Sequence, residues 1–150
     1  MRVVVGADEA LPVARDALET LRALGAECAL IGPLAGAELE WAEIAAAAGR
    51  RVADGRADWG VVLCWSGTGV AIAANKIPGI RAALCTDAET ARLARKYNHA
   101  NVLALSMRLT SSPVAGEIIR AFASEPFGDE DFDVRNVVVV DGLEGEGARH

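Results

Sequence analysis

Short apolar runs alternate with stretches in which apolar residues recur every three or four positions, and the alternation persists to about residue 124. Residues 2–6 (Arg-Val-Val-Val-Gly) read as a short buried strand. Pro12 then opens a helix, with Ala14, Leu18, Leu21 and Leu24 at helical spacing and Gly25 as its stop. Residues 27–31 form a second strand, 32–37 a loop with Gly and Pro, and 39–54 an alanine-rich helix. Residues 59–64 form a third strand, followed by the Ser66-Gly67-Thr68-Gly69 loop and a helix reaching Lys76. Pro78-Gly79 marks a turn before a fourth strand at 81–85. A helix over 87–97 follows, capped by Thr86 or Asp87, then a fifth strand at 102–105. Ser111 or Ser112 caps a last clear helix, which opens with Pro113 and runs to about Ser124.

Strands that are apolar throughout, separated by helices, belong to a parallel sheet covered on both faces. The pattern predicts an α/β, doubly wound, Rossmann-like three-layer sandwich with a five-stranded parallel sheet. In such folds the crossovers are right-handed and ligands bind at the carboxyl ends of the strands. Asp8, Cys64, Ser66 and Asn98 fall at or just past that edge. The C-terminal stretch is less regular. The β-branched run 137–140 favours a sixth strand over a helix end on propensity, and 142–150 is polar, glycine-rich and expected to fray.

Composition narrows the function classes. With 52% hydrophobic and 24% charged residues, the 150-residue chain is globular rather than disordered, and its length suits one domain. A formal net charge of -6 argues against nucleic acid and anionic membranes as partners. No apolar run approaches the roughly 20 residues that span a bilayer. The first residues enter a strand with no signal-peptide pattern, so the expected location is cytoplasmic. Three cysteines, Cys28, Cys64 and Cys85, form no C-x-x-C pair, and Cys28 and Cys85 sit in strand-like runs as expected core residues.

Candidate chemistry concentrates after the third strand. A thiol at a strand end, ahead of a glycine loop and a helix N-terminus, is placed where donors lower its pKa and make it a base or nucleophile. Cys64 has that position; it also fits as one more small apolar residue at the strand end. Backbone N–H groups of Gly67, Thr68 and Gly69 could hold an oxyanion, or the glycines could serve a tight turn. The loop lacks the third glycine of a dinucleotide fingerprint and the Lys-Ser pair of a P-loop. Asp8 faces the same edge as a proton shuttle, or caps the next helix. Lys76, Arg81, Arg108 and Arg135 are candidates for an anionic group, each of a type usually found solvated at the surface. His99 reads as a hydrogen-bonding loop residue, and no His/Asp/Glu spacing suggests a metal site.

Taken together, these pieces resemble the ribose-5-phosphate isomerase B family, which includes galactose-6-phosphate isomerase subunits. The matching segments are Val5-Gly6-Ala7-Asp8, Cys64-Trp65-Ser66-Gly67-Thr68-Gly69, Ile72-Ala73-Ala74-Asn75-Lys76 and Pro78-Gly79-Ile80-Arg81-Ala82-Ala83-Leu84-Cys85. Ala91-Arg92, Asn98 and Asn101-Val102-Leu103-Ala104-Leu105 continue them, so the resemblance covers roughly residues 2–126. It implies a single sugar-isomerase-like domain over 1–141, with 142–150 as a flexible tail. It also implies a metal-free, cofactor-free aldose–ketose isomerase of a sugar or sugar phosphate. In that family a cysteine base removes the proton beside the carbonyl and a cis-enediolate forms. The resemblance places Cys64 as the base, Ser66 as the hydroxyl beside it, and Gly67, Thr68 and Gly69 as amides for the enediolate. Asp8 becomes the acid at the sugar ring, Asn98 a sugar contact, and Arg108 and Arg135 phosphate-side cations. A site shared across a homodimer, or a tetramer built from it, is implied as well.

Several positions depart from the family pattern. Glu9 stands where a histidine follows the aspartate, Tyr97 where a histidine precedes the asparagine, and Asp131 and Phe132 where an Arg-His pair is usual. Trp65 replaces a small residue inside the loop. Glu9 and Asp131 remove positive charge and add negative charge where a phosphate dianion would sit, a change costing several kcal/mol in a shielded pocket. The expectation moves from ribose 5-phosphate toward a non-phosphorylated, short-chain or otherwise modified sugar, with Trp65 narrowing the pocket or stacking on a sugar face. The alternative is a non-catalytic sugar-binding or regulatory dimer that kept the fold.

Overall fold

The computed structural model describes residues 1–147. The five strands are β1 (Arg2–Ala7), β2 (Glu27–Ile31), β3 (Trp59–Cys64), β4 (Ala82–Leu84) and β5 (Val102–Ser106). They form one parallel sheet in the order β2-β1-β3-β5-β4. The α-helices among the described residues are α1 (Pro12–Ala23), α2 (Trp41–Ala53), α3 (Thr68–Asn75), α4 (Ala88–Asn98), α5 (Ser112–Ser124) and α6 (Asp131–Gly147), and Gly32–Ala35 forms a short 3-10 turn after β2. The expected sandwich is therefore observed, with element ends displaced by one or two residues.

Alternate residues of each central strand feed two separate cores. Val3, Val5, Leu63, Leu103 and Leu105 pack with Leu18, Leu21, Ile118 and Phe122 under α1, α4 and α5. Val4, Val62, Cys64, Val102 and Ala104 pack with Ala45, Ala48, Val70 and Ala74 under α2 and α3. In register, Val5 lies between Leu30 and Val61, and Leu63 lies beside Leu105. This is why the strands read as unbroken apolar runs.

Local chemistry fixes the helix starts. Pro12 and Pro113 occupy first-turn positions where a missing N–H costs nothing. Asp87 Oδ1 accepts from Thr90 N at 2.7 Å and Ser111 Oγ from Val114 N at 3.4 Å. Glu40 and Glu43 form a reciprocal capping box at the start of α2.

The C-terminal stretch corrects the sequence reading. Residues 137–140 are not a strand; they lie inside α6, as do residues 142–147 of the expected tail. Residues 148–150 fall outside the described residues. Tertiary contacts override the β-propensity of the valines. Asp133 and Val137, four residues apart on one face, are both buried. Asp141 pairs with Arg81 at 2.9 Å, and Glu144 accepts from Gly79 N at 2.7 Å. Asp131 and Asp133 in the first turn also suit a helix N-terminus.

The chain leaves β1 toward β2 on one side and returns to β3 on the other. The switch opens a crevice between the carboxyl ends of β1 and β3, which is where this architecture binds ligands.

Candidate active site

Asp8 follows β1 and Cys64 ends β3, so the two strand ends bracket that crevice. A cleft of ≈ 290 Å3 there is lined by Asp8, Trp41, Cys64, Trp65, Ser66 and Gly69. Cys64 forms its floor. The residue is only 5% exposed and packs with the α2/α3 core, yet it lines the opening rather than being sealed beneath it.

The loop after Cys64 is held by specific contacts. Trp65 O accepts from Ser106 Oγ at 2.9 Å and from Arg108 N at 3.0 Å, while Cys64 O accepts from Met107 N at 2.9 Å. Gly67 turns the chain with φ +75°. A Cβ there would lie 2.6 Å from Leu84 Cδ1, 2.8 Å from Ser106 N and 2.9 Å from Leu105 C, so no side chain fits. Ser66 Oγ accepts from Thr68 N at 3.3 Å and Gly67 O from Ala71 N at 3.3 Å. The N–H groups of Gly69 and Val70 lie between these, in the first turn of α3, where no intrahelical acceptor exists. An oxyanion over Cys64 would meet those donors.

Asp8 is partly buried, and its Oδ1 is sequestered without a hydrogen-bond partner. Burial first, then the charges of Glu9 and Glu40, hold its carboxyl above the usual aspartate range. Asp8 also lines a second, open groove of ≈ 520 Å3 with Glu9, Glu38, Glu40 and Glu43. The cleft therefore meets an acidic channel at Asp8. Among the described residues, no group of three or more His, Cys, Asp or Glu side chains is placed to hold a metal ion.

The structure gathers only part of the expected set in one cleft. Asp8, Cys64, Trp65, Ser66 and Gly69 share the cleft, with Gly67 and Thr68 shaping its loop. Glu9 lies in the adjoining groove. Tyr97 and Asn98, at the end of α4, line a different cavity of ≈ 440 Å3 with Ile80, Arg81, Val137 and Val140. Arg108 is exposed, its backbone bonded to Trp65, and Arg135 is exposed on α6. His99 is held in place: its Nε2 bonds Gly128 O at 2.8 Å and its ring stacks on Phe127. Cys85 is fully buried and its thiol is pushed up to about 12 by desolvation; partly buried Cys28 is raised for the same reason.

Among the backbone donors, the Thr68 N–H expected to face an oxyanion is engaged by Ser66 Oγ, and the Val70 N–H, which the sequence did not single out, stands beside that of Gly69 instead. Trp41 is the site side chain that sequence reasoning missed. It opens an alanine-rich helix, and nothing in its spacing marks it. The available signal was a large aromatic at the first position of a helix otherwise built from small residues.

A sequence profile of the ribose/galactose isomerase family matches residues 3–138. The chain is 36% identical over 129 residues to ribose-5-phosphate isomerase B of Mycobacterium tuberculosis, a match covering 85% of this chain and 80% of that protein. It is 49% identical over 76 residues to galactose-6-phosphate isomerase subunit LacB of Clostridium acetobutylicum, covering 51% of this chain and 44% of that one. The solved ribose-5-phosphate isomerase B of Clostridium thermocellum superposes with a TM-score of 0.91 at 30% identity, over 98% of this chain and 99% of that chain. The chain spans about half the length of several curated relatives it matches.

Proposed function

Because this chain belongs to the ribose/galactose isomerase family, we propose that it interconverts an aldose and a ketose, free or phosphorylated, with Cys64 as the base. The observation that carries this reading is the single cleft in which Asp8, Cys64, Ser66 and Gly69 meet. In the forward direction the Cys64 thiolate takes the proton from C2 of the open-chain aldose. The C2–H electron pair becomes the C1–C2 double bond of a cis-enediolate, and charge moves onto O1. The free N–H groups of Gly69 and Val70 stabilise that oxygen. The Cys64 thiol then returns the proton to C1 while O2 becomes the ketone and its proton passes to O1. Asp8, held above its usual range, suits the exchange of hydroxyl protons. Ser66 fixes the loop through Thr68 N.

The reading includes a homodimer. Tyr97, Asn98 and Arg135 do not reach Cys64 within one copy, so a second copy would supply them. Phe132, Val134, Val138, Val139, Val140 and Leu143 are exposed along α6. An apolar helix surface of that extent suits burial against a partner. Trp65, Ile72 and Leu109 expose further apolar area on the Cys64 side. No helix among the described residues is long and apolar enough to cross a membrane.

The acidic surroundings of Asp8 favour a second reading, in which the protein binds sugars as a regulatory dimer without turnover. Proton NMR in D2O separates the two. With ribose 5-phosphate, galactose 6-phosphate and the corresponding free sugars, the C2 proton of at least one is expected to wash out with the wild-type protein and to persist with Cys64→Ala. Exchange no faster than that of Cys64→Ala with all of them removes the isomerase reading.

A further inference from the structure

The Cys64 cleft has two indole walls. Trp65 belongs to the loop already described; Trp41 comes from the opposite side, at the first position of α2. The capping box between Glu40 and Glu43 pins that first turn, so the Trp41 backbone is fixed against the sheet. Its benzo ring lies against Gly69. A Cβ on Gly69 would sit 2.9 Å from Trp41 Cε3 and 3.1 Å from both Cδ2 and Cζ3. Near-equal distances to three successive ring atoms arise over the face of a ring; past its edge, the middle atom would be much closer than its neighbours. One face of the indole is therefore laid flat on the glycine backbone that supplies the enediolate donor.

Even so, Trp41 remains 42% exposed and lines the cleft, and Trp65 is 59% exposed. Tryptophan buries more apolar area than any other side chain when it is given a partner. Two rigid indoles left partly bare at the mouth of a cleft, with a thiol at its floor, form a surface for a ligand with an apolar face and polar edges. A carbohydrate chain has that character: its C–H groups line one face and its hydroxyls point to the sides. The side beyond Trp41 is the acidic groove of Asp8, Glu9, Glu38, Glu40 and Glu43. Those carboxylates accept hydrogen bonds from hydroxyls and repel anions.

We propose that Trp41 is a specificity-determining, substrate-contacting residue, whose cleft-facing indole stacks on the C–H face of the sugar and directs a hydroxyl-bearing rather than an anionic part of it toward the Asp8 groove. The proposal rests on the reading of the Cys64 cleft as the sugar site. The Trp41–Gly69 contact gives it a second consequence: the stacking surface and the enediolate donor move as one body, so the indole sets where the sugar lies relative to the donor.

The test uses the full chain and two readouts. Binding of ribitol 5-phosphate, galactitol 6-phosphate and the unphosphorylated alditols, which cannot isomerise, is measured by calorimetry. Turnover of the matching aldoses gives KM and kcat. Trp41→Ala is expected to weaken alditol binding and raise KM by roughly five- to tenfold, the scale of one aromatic stacking contact, with a smaller change in kcat. Trp41→Phe, which keeps a ring, should recover most of the loss, and its unfolding midpoint controls for damage to the fold. Wild-type protein that binds none of the alditols, Trp41→Ala that binds as well as wild type, or Trp41→Phe no better than Trp41→Ala overturns the proposal. Cys64→Ala is carried alongside. If it retains both alditol binding and proton exchange, the assignment of the base fails while that of Trp41 stands.

Discussion

The Asp8 carboxyl has one oxygen shut away without a donor and two further carboxylates, on Glu9 and Glu40, acting on it from outside. All three effects favour its neutral form, so its folded pKa lies above its unfolded one. Such a group adds stability below its unfolded pKa, and that contribution is lost as pH rises through the folded value. Asparagine keeps the neutral shape at every pH. Asp8→Asn is therefore expected to unfold at a higher temperature than wild type at pH 7–8, with the gap closing as pH falls into the ordinary carboxylate range. Thermal melts across that span check it; a wild type more stable than Asp8→Asn at neutral pH would contradict the assigned cause. Asp8 and Cys64 were legible as candidates because an acid or a thiol just past an apolar strand sits on the ligand-binding edge whatever the rest of the chain does. The state of Asp8 was not legible, since Glu40 lies 32 positions away in the sequence.

At the scale of the element, the loop from Trp65 to Gly69 and the start of α3 work as a unit. Gly67 is boxed in by backbone atoms of Leu105 and Ser106 on β5, so a methyl group cannot be absorbed by a rotating side chain. Gly67→Ala is expected to cost about 2 kcal/mol or more, from the left-handed backbone and the clash together. Urea unfolding measures it, and a loss below about 0.5 kcal/mol would show that the turn relaxes. The β1, β3 and β5 strands were readable because burial on both faces leaves a continuous apolar run. The caps at Asp87 and Ser111 were readable because a short polar side chain before a helix has few other uses. Helix α6 was misread. Its valines carry β-propensity, while the contacts that fix it as a helix, Asp141 to Arg81 and Glu144 to Gly79, each join residues at least 60 positions apart. Trp41 escaped notice for a related reason: its meeting with Gly69 depends on α2 and α3 packing side by side.

Across the whole molecule, the proposed site is divided between two surfaces of each copy, and α6 carries the apolar area that would join them. Val138 is 64% exposed, so an aspartate there costs the isolated fold little and would place an unpaired charge inside the joined assembly. Val138→Asp is expected to weaken association by at least about a hundredfold and to remove most turnover while leaving the circular dichroism spectrum intact. Light scattering after size exclusion reads the mass, and a wild-type protein that runs as a monomer would end the dimer reading. The two cores also differ in grain. One core cluster sets Leu, Ile, Phe122 and Trp59 among its alanines and valines, whereas the buried members of the cluster carrying Cys64 are alanine and valine apart from Cys64 and Ile80. Small side chains let α2 and α3 approach the sheet closely, so an added methylene at Ala45, Ala48 or Ala74 would strain the cluster in which Cys64 packs. Added volume is expected to disturb turnover more on the Cys64 side of the sheet than on the other. New substrate preferences in this lineage should therefore arise by exchange of rim residues, while the alanines beneath the thiol stay fixed as the gauge that holds its position.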